Sequence, residues 1–141
     1  LSKVLHRNII KSRQHFLILN MPGTYRQLLN LGITDDYTMG FASYPGFRAS
    51  ISTPYYFYDL EMEHSTPLRI HPFTVMEGTL CDYMHLNPNE AFEKFKQLVD
   101  EVKAVNGTFI SLWHNESLSN QDRWVGWQEV YEKLLEYAST K

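Results

Sequence analysis

The sequence predicts an α/β domain in which parallel strands alternate with amphipathic helices. Three observations carry that expectation. The run Gly107-Thr108-Phe109-Ile110-Ser111-Leu112-Trp113-His114-Asn115 is largely apolar and ends on three side chains able to contact a ligand. An amphipathic helix runs into it and stops at Asn106-Gly107, and a second amphipathic helix follows, which is the order of half a parallel α/β unit. A hydrophobic fraction of 43% supports a packed core, and no low-complexity run interrupts it.

Taken in order, Val4, Leu5, Ile9, Phe16 and Leu19 give partial helical spacing, so a helix is expected over 3–19, ended by Pro22-Gly23. Thr24 then caps a short helix through Tyr25, Leu28 and Leu29, stopped by Gly32. A short strand and turn follow over 33–41. Pro45-Gly46-Phe47-Arg48 reads as a turn delivering one arginine. The aromatic stretch 51–60 carries Pro54, which argues against a central strand over its full length. A loop is expected at 64–67 and a strand over 68–73, stopped by Pro72. Asn87-Pro88-Asn89-Glu90 is a strong helix start, with Asn as cap, Pro at the first helical position and Glu at the third. Ala91, Phe92, Phe95, Leu98, Val99, Val102 and Val105 keep one apolar face from there, and Trp127, Val130, Tyr131, Leu134, Leu135 and Ala138 repeat it in a last helix over about 124–138. Strand 107–115 is expected to be buried between these two helices.

The bulk numbers bound the functions available. At 141 residues the chain is a single domain, 1–141, or part of one. It opens on Leu1 as though inside an element, as a domain piece or a processed product does. A net charge of −3 without a Lys/Arg cluster gives no footprint for nucleic acid. No apolar run is long enough to span a bilayer. Cys81 is the single cysteine, which excludes an internal disulfide and a thiolate cluster. There is no Gly-rich phosphate loop. Aromatic residues make up 14% of the chain; most are expected in the core, although exposed ones stack on sugar rings.

In parallel α/β folds, binding and chemistry gather at the carboxyl ends of strands. His114 occupies such a position and is the first candidate for proton transfer, with Trp113 as pocket wall and Asn115 as a hydrogen-bond partner. A loop histidine satisfied by backbone explains it equally well. Arg48 could hold a carboxylate or orient a catalytic acid. A salt bridge to one of the sixteen acidic residues is the simpler account of it. A zinc site would need His71, His114 and a carboxylate such as Glu77 or Asp36 to meet in space, and no His-x-x-x-His or Cys pair signals one.

At these residues the chain resembles the C-terminal half of a polysaccharide deacetylase domain, the fold of carbohydrate esterase family four, in a divergent bacterial branch. The resemblance runs in order through Ser12-Arg13-Gln14-His15-Phe16-Leu17, Leu31-Gly32-Ile33, Asp36-Tyr37-Thr38-Met39-Gly40 and Gly46-Phe47-Arg48-Ala49. It continues through Pro54-Tyr55-Tyr56-Phe57-Tyr58-Asp59-Leu60-Glu61, Val75-Met76-Glu77-Gly78-Thr79-Leu80, Leu112-Trp113-His114-Asn115 and Gly126-Trp127.

The resemblance implies part of a distorted (β/α) barrel. It implies His114 as general acid, Arg48 as the arginine orienting a catalytic base, and Trp113 and Leu112 lining an acetyl pocket; Tyr37, Asp36 and Tyr56 are further candidates for the substrate cleft. The family's base and its Asp-His-His ligands for a divalent metal such as zinc precede the matched region. This chain is therefore expected to hold no metal of its own and to be inactive alone. Two positions depart from the family pattern: Asn115 follows the histidine in place of Asp, and Ala49-Ser50 follows the arginine in place of a proline-containing pair. The expected function is that of the C-terminal half of a carbohydrate N- or O-deacetylase, or else a non-catalytic carbohydrate-binding or structural domain. The expected partners are a saccharide and either a missing N-terminal half or a second copy paired through open sheet edges.

Overall fold

The computed structural model describes residues 2–140, and its framework is a set of short parallel strands laid down in chain order. Strands β1 (Lys11–Ser12) and β2 (Asp35–Asp36) pair in parallel, and β2 pairs in parallel with β4 (His64–Ile70). On the far side of β4, strand β3 (Tyr55–Asp59) runs antiparallel, giving the order β1-β2-β4-β3. A second ladder pairs β5 (Val75–Met76) in parallel with β6 (Ser111–Leu112).

The two ladders are continuous through the backbone. His71-Pro72 breaks the strand geometry, yet Phe73 N–H donates to Met39 O at 3.0 Å and Thr74 N–H donates to Ile110 O at 2.8 Å. Residues 64–76 therefore form the spine, with β2 on one side and first β3, then β6, on the other. The result is an α/β fold with a mostly parallel, open sheet. It does not close into a barrel, because among the described residues β1 and β6 each pair on one side only.

Helices cover this sheet in two separate packing units. Helix α1 (Ser2–Leu5) buries nothing, whereas α2 (Gly23–Asn30) turns Tyr25 and Leu28 onto Phe57, Leu68 and Ile70. Helix α3 (Pro88–Ala104) starts on the expected capping box, Asn87 Oδ1 accepting from the N–H groups of Asn89 and Glu90 while Glu90 accepts from Asn87 N–H. Such a cap contributes about 1 kcal/mol. Its face of Ala91, Phe95, Leu98 and Val99 packs on Trp127, Val130 and Leu134 of α4 (Trp127–Ser139). Trp113 joins the two helices to the strand end, stacked on Phe95 at 5.4 Å and edge-on to Trp127 at 6.3 Å.

Several expectations from sequence are corrected. Residues 3–19 do not form one helix: Val4 and Leu5 are exposed, and the segment supplies β1 and a tight turn at His15–Leu17 instead. Partial apolar spacing lost to the pairing that β2 offers. Thr24 lies inside α2 rather than capping it, its hydroxyl accepting from Asn20 N–H at 2.9 Å. The loop expected at 64–67 is strand, with Pro67 inside it. The pairing slips between Tyr56↔Arg69 and Tyr58↔Ser65, so the residue without an N–H sits where the ladder is already interrupted. Strand 107–115 shrinks to Ser111–Leu112 and is an edge, with Leu112 its one buried residue.

Candidate active-site cleft

Glu77 is the first residue beyond β5 and His114 the second beyond β6, so the parallel pairing of Val75 with Ser111 and Met76 with Leu112 delivers both to the same sheet end. Glu77 is fully buried. Its Oε1 accepts two bonds from His114, from the backbone N–H at 2.6 Å and from ring Nδ1 at 2.8 Å. The carbonyl of His114 is held in turn by Ser117, whose hydroxyl donates at 2.6 Å. Backbone and ring are thus both fixed.

A carboxylate can only accept, so Nδ1 carries the proton and Nε2 is left free to exchange one. The imidazole is 52% exposed, so Nε2 chemistry remains open to a ligand. Glu77 Oε2 is buried and has no hydrogen-bond partner among the described residues. The bond from Nδ1 to the buried Oε1 fixes the orientation of the ring and turns Nε2 away from Glu77.

His114 lines a cavity of about 550 Å³ together with Leu112, Trp113, Trp124, Arg13 and Phe16. His114, Trp113 and Leu112 line one cleft. The other candidates lie elsewhere. Arg48 is not part of the cavity lining; it sits in the loop after β2, its Nη1 3.4 Å from Gly40 O and its charge close to the buried Tyr25 hydroxyl. Asp36 is fully buried, accepting from Thr38 N–H at 3.0 Å and Thr38 Oγ1–H at 2.8 Å. Burial nevertheless pushes its carboxyl above the ordinary range. Tyr37 lies on a shallower neighbouring hollow with Lys11 and Arg13, its ring stacked on His71 at 4.4 Å. Tyr56 is exposed on β3 and outside both concavities.

The residues do not fit a metal ion. Among the described residues no three His, Cys, Asp or Glu side chains converge. The zinc set considered from sequence is split, since Glu77 Oε1 accepts from His114 Nδ1 while His71 Nε2 pairs with Asp35 Oδ1 at 2.7 Å. Asp36 is closed off by Thr38.

Glu77 was visible in the sequence only as a metal-ligating carboxylate. The signal for its real placement is that Val75-Met76-Glu77 repeats the strand-end pattern of Ser111-Leu112-Trp113-His114, an apolar strand followed by one ionisable group. Arg13 carried no such signal, because its segment reads as helix. No family model, curated protein or solved structure gives a significant match to this chain.

Proposed function

We propose that this chain is the C-terminal portion of a carbohydrate deacetylase-type domain in which Glu77 and His114 form the acid–base pair. The observation that carries the reading is a buried carboxylate fixing a half-exposed histidine at the carboxyl ends of two adjacent parallel strands, on the wall of a cavity. In the reaction so assigned, Nε2–H donates its proton to the departing amine or alcohol of an N- or O-acetylated saccharide as the bond to the acetyl carbon breaks. Glu77 stabilises the imidazolium before transfer and keeps the ring in one tautomer. Leu112 and Trp113 supply an apolar wall for the acetyl group.

The groups that activate the attacking water lie outside this pair of residues. We assign them to an N-terminal half pairing with the open edges of β1 and β6, where unpaired backbone groups favour another strand. That no three metal-capable side chains come together among the described residues also favours a second reading, a saccharide-binding domain without turnover.

Acetate release and ligand titration test these readings. The 141-residue chain is expected to release no acetate from chitooligosaccharide or acetyl-xylan, with or without added Zn²⁺, while either saccharide at millimolar concentration shifts the His114 and Trp113 resonances. Zn²⁺-dependent acetate release that persists in His114→Ala removes the dyad from the mechanism. Absence of any shift removes the saccharide reading.

A further inference from the structure

The cleft has a second wall, made by a single loop. Arg13, Gln14, His15, Phe16 and Leu17 all line the cavity that His114 lines. Phe16 and Leu17 are consecutive non-glycine residues in the left-handed region, at φ 56° and 55°. Such a backbone persists only where its surroundings hold it. Here Leu17 is buried against Phe73 and Leu112, while Phe16 is 79% exposed at the cavity edge. The loop spends an unfavourable conformation on presenting an aromatic ring to solvent.

The charges around the cavity are unevenly matched. Asp82 and Glu116 belong to its lining, and both pair with Arg123 at 3.2 Å. His114 is matched by Glu77. Arg13 has no carboxylate oxygen within 4.0 Å among the described residues, and Nε–H, which donates to Tyr37 O at 3.2 Å, is its one donor with a protein acceptor there. The carboxylate acting on it electrostatically is Asp36, whose oxygens both accept from Thr38. The hydrogen bond to Tyr37 pins the stem of the guanidinium and leaves its outer fork free, the geometry that receives a planar carboxylate.

We propose that the loop 13–17 is the specificity element of the cleft and that it selects a saccharide unit carrying a carboxylate, the sugar face resting on Phe16 and the carboxylate on Arg13. The inference rests on the saccharide reading above and narrows its ligand to acidic sugars.

The test compares trigalacturonate with its methyl ester, which keeps the rings and removes the charge, by amide chemical-shift titration at low salt. The acid is expected to bind the native chain at least about tenfold more tightly than the ester, as a charge-assisted fork requires. Arg13→Gln is expected to erase that preference by weakening the acid far more than the ester, Arg13→Lys to retain part of it, and Phe16→Ala to weaken both ligands alike. Native amide dispersion in each variant establishes that it folds. Equal affinity for acid and ester in the native chain overturns the inference, as does a preference that survives Arg13→Gln. If both ligands bind equally and still shift His114, the deacetylase reading stands without the acidic specificity. If neither ligand binds, the acidic specificity falls, and the acetylated saccharides decide the broader reading separately.

Discussion

Removing the imidazole of His114 leaves Glu77 fully buried with a single donor, the His114 backbone N–H, on Oε1 and none among the described residues on Oε2. A hydrogen bond to a charged group contributes about 1.5–3 kcal/mol, and leaving its partner buried adds to the loss. Because the ring is 52% exposed, solvent screens part of the interaction, and His114→Ala is expected to cost about 1–2 kcal/mol. For a chain of this size that lowers Tm by about 3–8 °C. A double-mutant cycle with Glu77→Met isolates the bond. The methionine removes the acceptor for both His114 donors, but the bond from the backbone N–H is lost whether or not the imidazole is present and cancels. The coupling energy that remains belongs to Nδ1–H and Oε1, and about 1–2 kcal/mol is expected by urea denaturation near neutral pH. Additivity within about 0.5 kcal/mol would show that the 2.8 Å contact does not hold in solution, and the acid–base assignment would go with it.

Asp59 supplies an acid-sensitive link: its carboxylate receives Arg26 Nε at 2.6 Å and Nη2 at 2.8 Å, and Arg26 is the main reason its pKa falls from 3.8 to about 2. A depressed carboxyl stabilises the fold above its unfolded pKa and loses that contribution as pH falls through the folded value. The urea midpoint should therefore drop between pH 4 and pH 2, and Asp59→Asn should flatten that segment of the profile. An unchanged profile in the variant would place the acid sensitivity elsewhere. Gly40→Ala would drive a Cβ into the ring of the fully buried Phe73, and overpacking of this kind costs about 1–3 kcal/mol. Phe73→Leu in the same chain should recover part of that loss, and a purely additive double variant would contradict the predicted clash.

What the sequence disclosed about fold and site follows from where local signals were strong. Helices α3 and α4 were readable because their apolar faces persist over several turns and α3 carries a complete capping box. Strand β6 was readable as a strand-end pattern, although its length and burial were not, since both depend on how many neighbours the strand finds. The N-terminal segment misled because five apolar residues at loose helical spacing do not outweigh a parallel partner 24 residues away in β2. His114, Trp113 and Leu112 met in one cleft because they are contiguous. Arg48 did not join them, since its position depends on the path of an irregular loop that no periodicity describes. Glu77 became meaningful only when register placed Met76 opposite Leu112.

The apolar interior is split into two large clusters, one under α2 and one between α3 and α4, with Leu17, Phe73 and Leu112 as the buried residues of a small cluster between. The N–H groups of Phe73 and Thr74 stitch the same boundary through the backbone. The chain is in effect two plates joined along a narrow weld, and the cavity lies across it, with Arg13 to Leu17 on one side and Leu112 to His114 on the other. Any molecule held by both walls splints the weld. Occupancy then converts two units that open independently into one that opens as a whole, with slower amide exchange at Phe73 and Thr74 as its mark.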